Sequence, residues 1–376
     1  MATERPAFTD TSRDRRFMKL ALALAERQLG TTAPNPAVGC VIVQGDAIVG
    51  RAATARGGRP HAETLALAQA REAARGATAY VSLEPCAHQG VTPPCADALL
   101  AANIGRVVVA LEDPDSRVAG RGVARLREAG LAVDVGCCAD EAKSLNAGFL
   151  LRVKTGRPLV TLKIASSLDG RIALKSGESQ WITGDAARAL GHFLRATHDA
   201  ILIGSGTALA DDPSLTCRLP GLESRTPVRV VADGRLRLSP QSQLARTANA
   251  HPTWCLTRAD ADENRHATLS ALGVEIIPVA PAPDGGLDPQ ALLAALGARG
   301  ITRLLVEGGA RLGTALLRAD LVDRLAWFRG NLLIGGDGVP AVSSLVDLKL
   351  ADALRWRPVS SRGIGQDRVD FYEAKA

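Results

Sequence analysis

Short apolar runs alternate with Ala- and Leu-rich segments of helical spacing through roughly the first 150 positions. The β-branched runs predict strands at Val38–Val43, Ala47–Val49, Thr78–Leu83, Val107–Leu111 and Leu131–Val135. The segments of helical spacing predict helices at Phe17–Leu29, Ala62–Ala74, Ala96–Ala102, Val123–Ala129 and Glu141–Val153. Strands that alternate with helices in this way predict a parallel or mixed sheet covered by helices on both faces.

The segment Lys154-Thr155-Gly156-Arg157-Pro158 interrupts this pattern and predicts a boundary between domains 1–153 and 154–376. A second alternating series follows it. Its predicted strands are Leu159–Ala165, Ala200–Ile203, Val228–Val231, Thr253–Leu256, Val274–Val279, Arg303–Val306 and Arg324–Phe328, with Arg368–Tyr372 as a closing strand. Its predicted helices are Ala186–Ala196, Asp262–Ala271, Pro289–Leu296 and Gly313–Arg318.

The overall composition narrows the class of protein. Hydrophobic residues make up 46% and charged residues 22% of the 376 positions, which is typical of a globular protein. The net charge of +6 is spread along the chain and aromatic residues are only 3%, so a nucleic-acid channel is not expected. Arginine provides 38 of the 45 basic residues and suits the phosphate of a small anionic substrate. We also expect a homo-oligomer.

The cysteine and hydropathy patterns predict the compartment. Seven cysteines, an odd and sparse set for this length, indicate reducing conditions rather than a disulfide framework. No apolar run approaches the ~18 residues of a membrane span. The sequence therefore predicts a cytoplasmic protein that does not bind membranes.

Four residues in the first half form the strongest chemical signal. His61, Cys86 and Cys95 are one imidazole and two thiolates, a ligand set that suits zinc and leaves a fourth position for water. Glu63 follows His61 by two residues and is placed to carry protons, as in the zinc deaminases of bases. Two other interpretations are open: ordinary buried thiols, or a structural zinc with His88 as fourth ligand.

These residues lie within longer motifs that resemble a known family. The segments 32–39 (TAPNPAVG), 61–63 (HAE) and 83–95 (LEPCAHQGVTPPC) are similar to the bifunctional deaminase/reductase of riboflavin biosynthesis. The resemblance implies that Asn35 contacts the pyrimidine and that His88 and Asn103 lie near or behind the pocket. Val91 and Thr54 depart from the family pattern at positions expected to touch the phosphoribosyl group, with Arg56 and Arg59 as candidate substitutes.

The second half alone predicts an α/β domain with glycine-rich turns. Gly204–Leu209 lacks the third glycine of the dinucleotide fingerprint. Glu307-Gly308-Gly309 follows a predicted strand and opens a helix, which suits either a phosphate cradle or a plain turn. Motifs at 163–173, 176–183, 211–218 and 306–309 resemble the reductase half of the same family, which is similar to dihydrofolate reductase and uses NADPH.

The resemblance implies a fold and a set of contacts. We expect a cytidine-deaminase-like three-layer α/β/α domain followed by a dihydrofolate-reductase-like α/β domain. The implied NADPH-contacting positions are Ala165, Trp181, Thr207, Asp211, Gly309, Ala310, Arg311, Leu312, Gly313, Thr314 and Ala315. The implied substrate-contacting positions of this half are Lys163, Ser179, Arg195, Leu215, Arg218 and Glu307. Arg195 and Arg218 would grip a 5′-phosphate, although Arg195 equally suits a helix C-terminus.

The predicted function is therefore bifunctional. The first domain would use Zn2+ to remove ammonia from a diaminopyrimidinone ribosyl phosphate, and the second would use NADPH to reduce the ribosyl group to ribityl. A nucleic-acid base deaminase is a rival that gives no role to the second domain. Another rival is a reductase whose zinc-binding first domain is purely structural. The departures at Thr54 and Val91 leave this rival open, and the complete set of His61, Glu63, Cys86 and Cys95 argues against it.

Overall fold

The computed structural model describes residues 11–89, 93–115, 119–345 and 349–375. Val91 lies outside these residues. The chain divides into two compact units, Met1–Thr155 and Gly156–Ala376. The assignment of one activity to residues 1–153 and the other to 154–376 stays a prediction.

The first unit is built on a mixed five-stranded sheet with the order β2-β1-β3-β4-β5. Its strands are β1 (Gly39–Gln44), β2 (Ala47–Ala53), β3 (Thr78–Val81), β4 (Arg106–Val109) and β5 (Ala132–Val135). β1 is antiparallel to both β2 and β3, whereas β3, β4 and β5 run parallel. All five predicted strands of this half are thus present.

Helices cover both faces of this sheet. They are α1 (Ser12–Glu26), α2 (Ala62–Ala70), α3 (Cys95–Ala101), α4 (Arg121–Glu128), α5 (Ala139–Leu145) and α6 (Ala147–Thr155). Buried residues of α2, α3 and α4 pack with Cys40 and Ile42 of β1. Buried residues of α1 and α5 pack with Val41 and Val43, which point to the opposite face because side chains alternate along a strand. The predicted three-layer α/β/α domain is confirmed.

The helix predicted at Glu141–Val153 is instead two helices, α5 and α6, separated by Asn146. The buried Asn146 side chain accepts a hydrogen bond from the Ala37 backbone N–H and donates one to the Ala37 carbonyl, both at 3.0 Å. An asparagine that pairs with remote backbone competes with the local helix, which explains the break. The same pair of bonds fixes the backbone two residues after Asn35.

The second unit contains a nine-stranded sheet with the order β11-β10-β9-β8-β12-β6-β13-β16-β15. The strands of this unit are β6 (Leu159–Ser166), β7 (Arg171–Ala173), β8 (Ala200–Gly204), β9 (Val228–Ala232), β10 (Thr253–Thr257), β11 (Val274–Pro278), β12 (Arg303–Glu307), β13 (Arg324–Arg329), β14 (Val339–Pro340), β15 (Trp356–Ile364) and β16 (Asp367–Ala374). Neighbours from β11 to β13 run parallel, and β16 is antiparallel to β13 and β15. β7 and β14 form a separate two-stranded sheet.

Helices again lie on both faces of the large sheet. They are α7 (Asp185–Ala196), α8 (Ser205–Asp211), α9 (Gln243–Arg246), α10 (Glu263–Ala271), α11 (Pro289–Ala298) and α12 (Ala310–Arg318). One core cluster packs α11 and α12 against Leu304 and Val306 of β12. A second core cluster packs the four helices α7, α8, α9 and α10 against Leu305 of the same strand. Among the described residues, no helix combines the length and the hydrophobicity that crossing a bilayer requires.

Candidate active sites

His61, Cys86 and Cys95 are brought together at the ends of three elements of the first unit. His61 is the N-cap of α2, Cys95 is the first residue of α3, and Cys86 lies in the loop after β3. The ligand atoms of these three residues all lie within 4.8 Å of one another. In the described part of the chain, these three side chains are the group that could hold a metal ion. His88 does not belong to this group.

The spacing of these atoms fits a tetrahedral zinc ion. His61 Nδ1 lies 3.3 Å from Cys95 Sγ and 3.7 Å from Cys86 Sγ. Zinc with bonds of about 2.3 Å to sulfur and about 2.05 Å to nitrogen places such ligands about 3.6 Å apart. The Cys95 backbone N–H also donates to Cys86 Sγ at 3.3 Å, a contact that orients the thiolate. Three ligands leave one coordination position for a small molecule.

The charges at this centre favour a thiolate and a titrating carboxyl group. A hydrogen bond from Cys95 and another from His61 lower the pKa of Cys86 to about 4, although its burial opposes them. The Cys86 partner raises the pKa of His61, and the nearby charge of Arg59 opposes this. Glu63 lies in the first turn of α2 with 3% of its surface exposed, and burial raises its pKa to about 7. Its carboxyl group is therefore protonated more readily than an ordinary glutamate.

A second glutamate holds the Cys86 loop and was given no role from the sequence. Glu84 is buried, and its carboxylate accepts hydrogen bonds from four backbone N–H groups, those of Asp113, Gly120, Gly122 and Val123, at 2.8–3.1 Å. A Cβ at Gly122 would lie 1.9 Å from the Pro85 carbonyl oxygen, so the start of α4 packs directly against the residue before Cys86. The position of Glu84 two residues before Cys86 was the available signal.

Asn35 lies in the turn before β1, where its side-chain amide donates to the Gly58 carbonyl at 3.1 Å. A Cβ at Gly58 would lie 2.1 Å from the Asn35 Nδ2 atom, so this turn requires glycine. The bond uses the amide nitrogen of Asn35 and leaves its Oδ1 for another donor. Its contact with a pyrimidine stays a prediction.

The structure bears on two other expectations for this half. Thr54 is 2% exposed, and its hydroxyl accepts from the Val38 N–H at 3.1 Å, so this side chain supports the start of β1. Asn103 lies beyond the end of α3 that is opposite Cys95, and its place behind the pocket stays a prediction. It follows α3 with a left-handed φ of 53°, and its carbonyl accepts from Gly76 at 2.8 Å. The rise of α3 from Cys95 to Ala101 places the end of that helix about 9 Å from Cys95.

Lys163, Arg195 and Glu307 form a charge cluster in the second unit. Glu307 ends β12 directly beside Lys163 of β6, and its Oε2 atom lies 3.5 Å from Lys163 Nζ. Arg195, in the last turn of α7, donates to both carboxylate oxygens at 2.9 Å. Burial alone would raise the pKa of Glu307, but the charges of Arg195 and Lys163 outweigh it and hold the pKa well below its usual range. Glu307 therefore stays ionised.

The forked face of Arg195 is thus occupied by Glu307, and its remaining Nη1 donates to the Thr216 carbonyl at 3.0 Å. A two-pronged grip of Arg195 on a phosphate is not the arrangement observed. Arg218 is exposed, and its Nη1 donates to the Ser214 hydroxyl at 2.8 Å. Of the two arginines predicted to grip a phosphate, Arg218 is the one with an exposed side chain.

The turn at Gly308-Gly309 joins β12 to α12 with positive φ angles of 75° and 68°. A Cβ at Gly308 would lie 3.0 Å from Thr207 Cγ2, so the turn passes directly over α8. Glycine is required there by both conformation and space. Bare backbone at the carboxyl end of a parallel strand, followed by a helix N-terminus, fits the phosphates of a dinucleotide.

The other predicted NADPH-contacting positions are spread around this turn. Gly309 is the N-cap of α12, and Ala310, Arg311, Leu312, Gly313, Thr314 and Ala315 are its first six residues. Gly313 and Thr314 are buried, and the Thr314 hydroxyl accepts from the Ser343 N–H at 2.8 Å, so these two positions pack inward. Ala165 lies on β6 two residues after Lys163, and Asp211 ends α8.

Trp181 and Ser179 lie in the segment between β7 and α7. Trp181 is 63% exposed and stacks against the Arg188 guanidinium, 4.4 Å from the ring centre. Leu215 is buried with a left-handed φ of 53°, so its side chain belongs to the core. Any contact of Leu215 with a substrate would come from its backbone. These residue roles stay predictions.

Comparisons with known proteins match both units. The model of the cytidine and deoxycytidylate deaminase zinc-binding region matches residues 11–111, and the RibD C-terminal domain model matches residues 158–369. The riboflavin biosynthesis protein RibD of Escherichia coli K12 is 43% identical over 94% of this chain and 97% of its own length. That of Bacillus amyloliquefaciens is 42% identical over 87% of each.

Solved structures agree with this result. RibD of Acinetobacter baumannii, form 1, superposes with a TM-score of 0.87 at 39% identity, covering 97% of this chain and 99% of the other. A diaminohydroxyphosphoribosylaminopyrimidine deaminase/5-amino-6-(5-phosphoribosylamino)uracil reductase from Thermotoga maritima superposes with a TM-score of 0.84 at 32% identity, covering 96% and 99%.

A zinc-binding deaminase fold with a His/Cys/Cys grouping, followed in one chain by a reductase fold, defines a bifunctional enzyme. Nearly the full length of the chain matches nearly the full length of RibD proteins. The chain belongs to the RibD family of riboflavin biosynthesis proteins, with a deaminase domain and a reductase domain.

Proposed function

We propose that the two domains catalyse consecutive steps on one phosphoribosyl pyrimidine. The first hydrolyses the 2-amino group of 2,5-diamino-6-(5-phosphoribosylamino)pyrimidin-4(3H)-one and releases ammonia. The second reduces the resulting 5-amino-6-(5-phosphoribosylamino)uracil to its ribityl form with NADPH. The His61/Cys86/Cys95 grouping beside a buried Glu63 is the observation that carries the first step, together with the Thermotoga maritima relative named for both activities.

In the deaminase site the chain holds the metal and moves the proton. His61, Cys86 and Cys95 would hold the zinc ion, which supplies a water acidified enough to act as nucleophile. Glu63 would accept a proton at its carboxylate and deliver it to the departing amine, so that ammonia leaves neutral. Asn35 has an amide oxygen free of the Gly58 bond and orients the pyrimidine by accepting from its N–H edge.

In the reductase site Lys163, Glu307 and the turn that follows them have separate tasks. NADPH, when bound along the Gly308-Gly309 turn, supplies the hydride that ends on the sugar C1′. The bond from C1′ to the ring oxygen breaks, and that oxygen takes up a proton. Since Glu307 is held as an anion, it accepts hydrogen bonds from the ribosylamine, and Lys163 is the neighbour that donates the proton.

The test is an incubation of the diaminopyrimidine substrate with and without NADPH, with products identified by mass. Wild type should give the deaminated uracil alone and the ribityl product when NADPH is added. Glu63→Gln should lower deamination at least ~100-fold and still reduce uracil supplied directly. The matched control is Glu72→Gln, an exposed glutamate in the turn after α2, which should leave both rates unchanged.

Two outcomes contradict the proposal. Deamination by Glu63→Gln at the wild-type rate would remove the role of Glu63. Wild type that reduces the uracil but never deaminates would instead support a reductase whose zinc-binding domain is structural.

We also propose that the enzyme works in the cytoplasm as a homo-oligomer. None of the seven cysteines, all of which lie in the described part of the chain, forms a disulfide, as a reducing compartment maintains. Light scattering on the purified chain measures the oligomeric state, and a monomeric mass would contradict this part.

A further inference from the structure

Arg229 of β9 is a cation inside the core of the second unit. Its side chain is fully buried, at 0% exposure, and no carboxylate in the described part of the chain forms an ion pair with it. Burial lowers its pKa to about 10. Burying a charge without a counter-ion costs stability unless dipoles surround it, so the position requires an explanation.

The guanidinium is surrounded by backbone carbonyls and hydroxyls. Nη2 donates to the Thr253 hydroxyl at 2.5 Å and to the His251 carbonyl at 2.9 Å, with the Leu244 carbonyl at 3.2 Å. Nη1 has two protons and two partners, the Thr247 hydroxyl at 2.8 Å and the Ser214 carbonyl at 3.2 Å. Leu244, Thr247 and His251 belong to α9 or to the turn after it. Ser214 lies in a different segment, before β9.

Ser214 begins the segment 214–218, which contains the predicted substrate contacts Leu215 and Arg218. Its carbonyl is held by Arg229, and its hydroxyl accepts from Arg218 Nη1 at 2.8 Å. Two hydrogen bonds therefore connect the buried guanidinium to the exposed one. The left-handed backbone of Leu215 makes this segment depend on outside support.

The rest of the segment is held from α7 and from Thr226, whose hydroxyl accepts from the Cys217 N–H at 3.1 Å. Arg195 donates to the Thr216 carbonyl at 3.0 Å, and the Arg218 backbone N–H donates to His192 Nδ1 at 3.2 Å. Arg229 is thus the support for the end of the segment that α7 does not reach. Arg229 acts through Ser214, whose hydroxyl is bonded to the Arg218 side chain.

We propose that Arg229 is a positioning residue of the reductase, which fixes the Arg218 guanidinium for the phosphate of the substrate through Ser214. This inference rests on the proposed reduction of the phosphoribosyl uracil. Arg229 itself is too deeply buried to touch the substrate. Its effect should therefore appear in substrate affinity, and it should depend on the Ser214 hydroxyl.

The experiment measures the dissociation constant of 5-amino-6-(5-phosphoribosylamino)uracil by calorimetry with NADP+ present, which prevents turnover. Arg229→Met and Ser214→Ala should each weaken binding about tenfold, the size of one lost charge-assisted contact. The double variant should bind no more weakly than the poorer single one, because both changes break the same connection. NADPH binding and deamination should change less than about twofold.

Thr247→Val is the matched control. It removes the other partner of Arg229 Nη1 and leaves the Ser214 bond, so it should lower the melting temperature without changing substrate affinity. Arg229→Lys, which keeps the charge but not the fork, replaces Arg229→Met if the latter does not fold.

Equal weakening by Thr247→Val, or additive losses in the double variant, would show a merely structural role and overturn the proposal. Unchanged affinity in Arg229→Lys and Arg229→Met would also overturn it. Wild type that does not bind the uracil at all would refute the proposed function itself, which distinguishes the two failures.

Discussion

Glu84 offers the sharpest test of how the metal loop is held. Glu84→Gln keeps the shape of the side chain but replaces one carboxylate oxygen with an NH2 group. Each oxygen accepts from two backbone N–H groups, so the variant loses two of the four bonds and sets a donor against donors. With hydrogen bonds to a charged group at about 1.5–3 kcal/mol each, the free energy of unfolding should fall by about 3 kcal/mol or more.

The same change should reach the metal, because the start of α4 packs on the residue before Cys86. Losing the support of a ligand typically costs about 10- to 100-fold in metal affinity. Urea unfolding and zinc competition against a chelator measure the two effects, with reduction of supplied uracil as the internal reference. The matched control is Glu112→Gln, an exposed glutamate on the same loop. A Glu84→Gln protein with wild-type stability and zinc affinity would refute this reasoning.

Three further predictions follow from the geometry of the two units. Purified protein should carry about one zinc per chain, and the Cys86→Ser/Cys95→Ser variant should lose it by elemental analysis; full metal content would contradict the ligand set. Burial would raise the pKa of Asp14, but hydrogen bonds, first from Arg106, outweigh it and lower the pKa, so stability should decline as pH falls below the unfolded value of about 4. Asp14→Asn should remove that decline and cost about 2 kcal/mol or more in urea unfolding at pH 7; an unchanged acid profile would contradict the assignment. Arg218→Ala should lower use of the uracil about 10- to 150-fold while NADPH binding and deamination survive, and loss of NADPH binding alone would mean that the two subsites are exchanged.

The hydrophobic pattern predicted helices and strands in which buried residues recur at a regular period along the sequence. The strand predicted at Thr253–Leu256 is observed at Thr253–Thr257, and the helix predicted at Ala186–Ala196 is observed at Asp185–Ala196. The pattern missed β15, Trp356–Ile364, because most of that strand is exposed and pairs only with β16. It also missed α8, whose seven residues are too few to show a helical period.

The candidate metal site was predictable because three ligands and one acid stand in short motifs of recognisable spacing. Other features depend on partners far along the chain. The bonds from Arg195 to Glu307 span 112 residues, and no local pattern in the sequence indicates them. By contrast, the bond of Arg218 to the Ser214 hydroxyl joins residues only four positions apart, and the contact of Arg218 with a phosphate stays a prediction.

The lateral pairing of Glu307 with Lys163 on adjacent parallel strands restricts how this chain can vary in length. Side chains alternate along β12, with Leu304 and Val306 on one face and Leu305 on the other. Inserting or deleting one residue in β12 would turn the Glu307 carboxylate to the opposite face of the sheet, away from Lys163. Insertions that preserve the reductase site therefore belong in the surface loops between elements, while the central strands keep a fixed residue count.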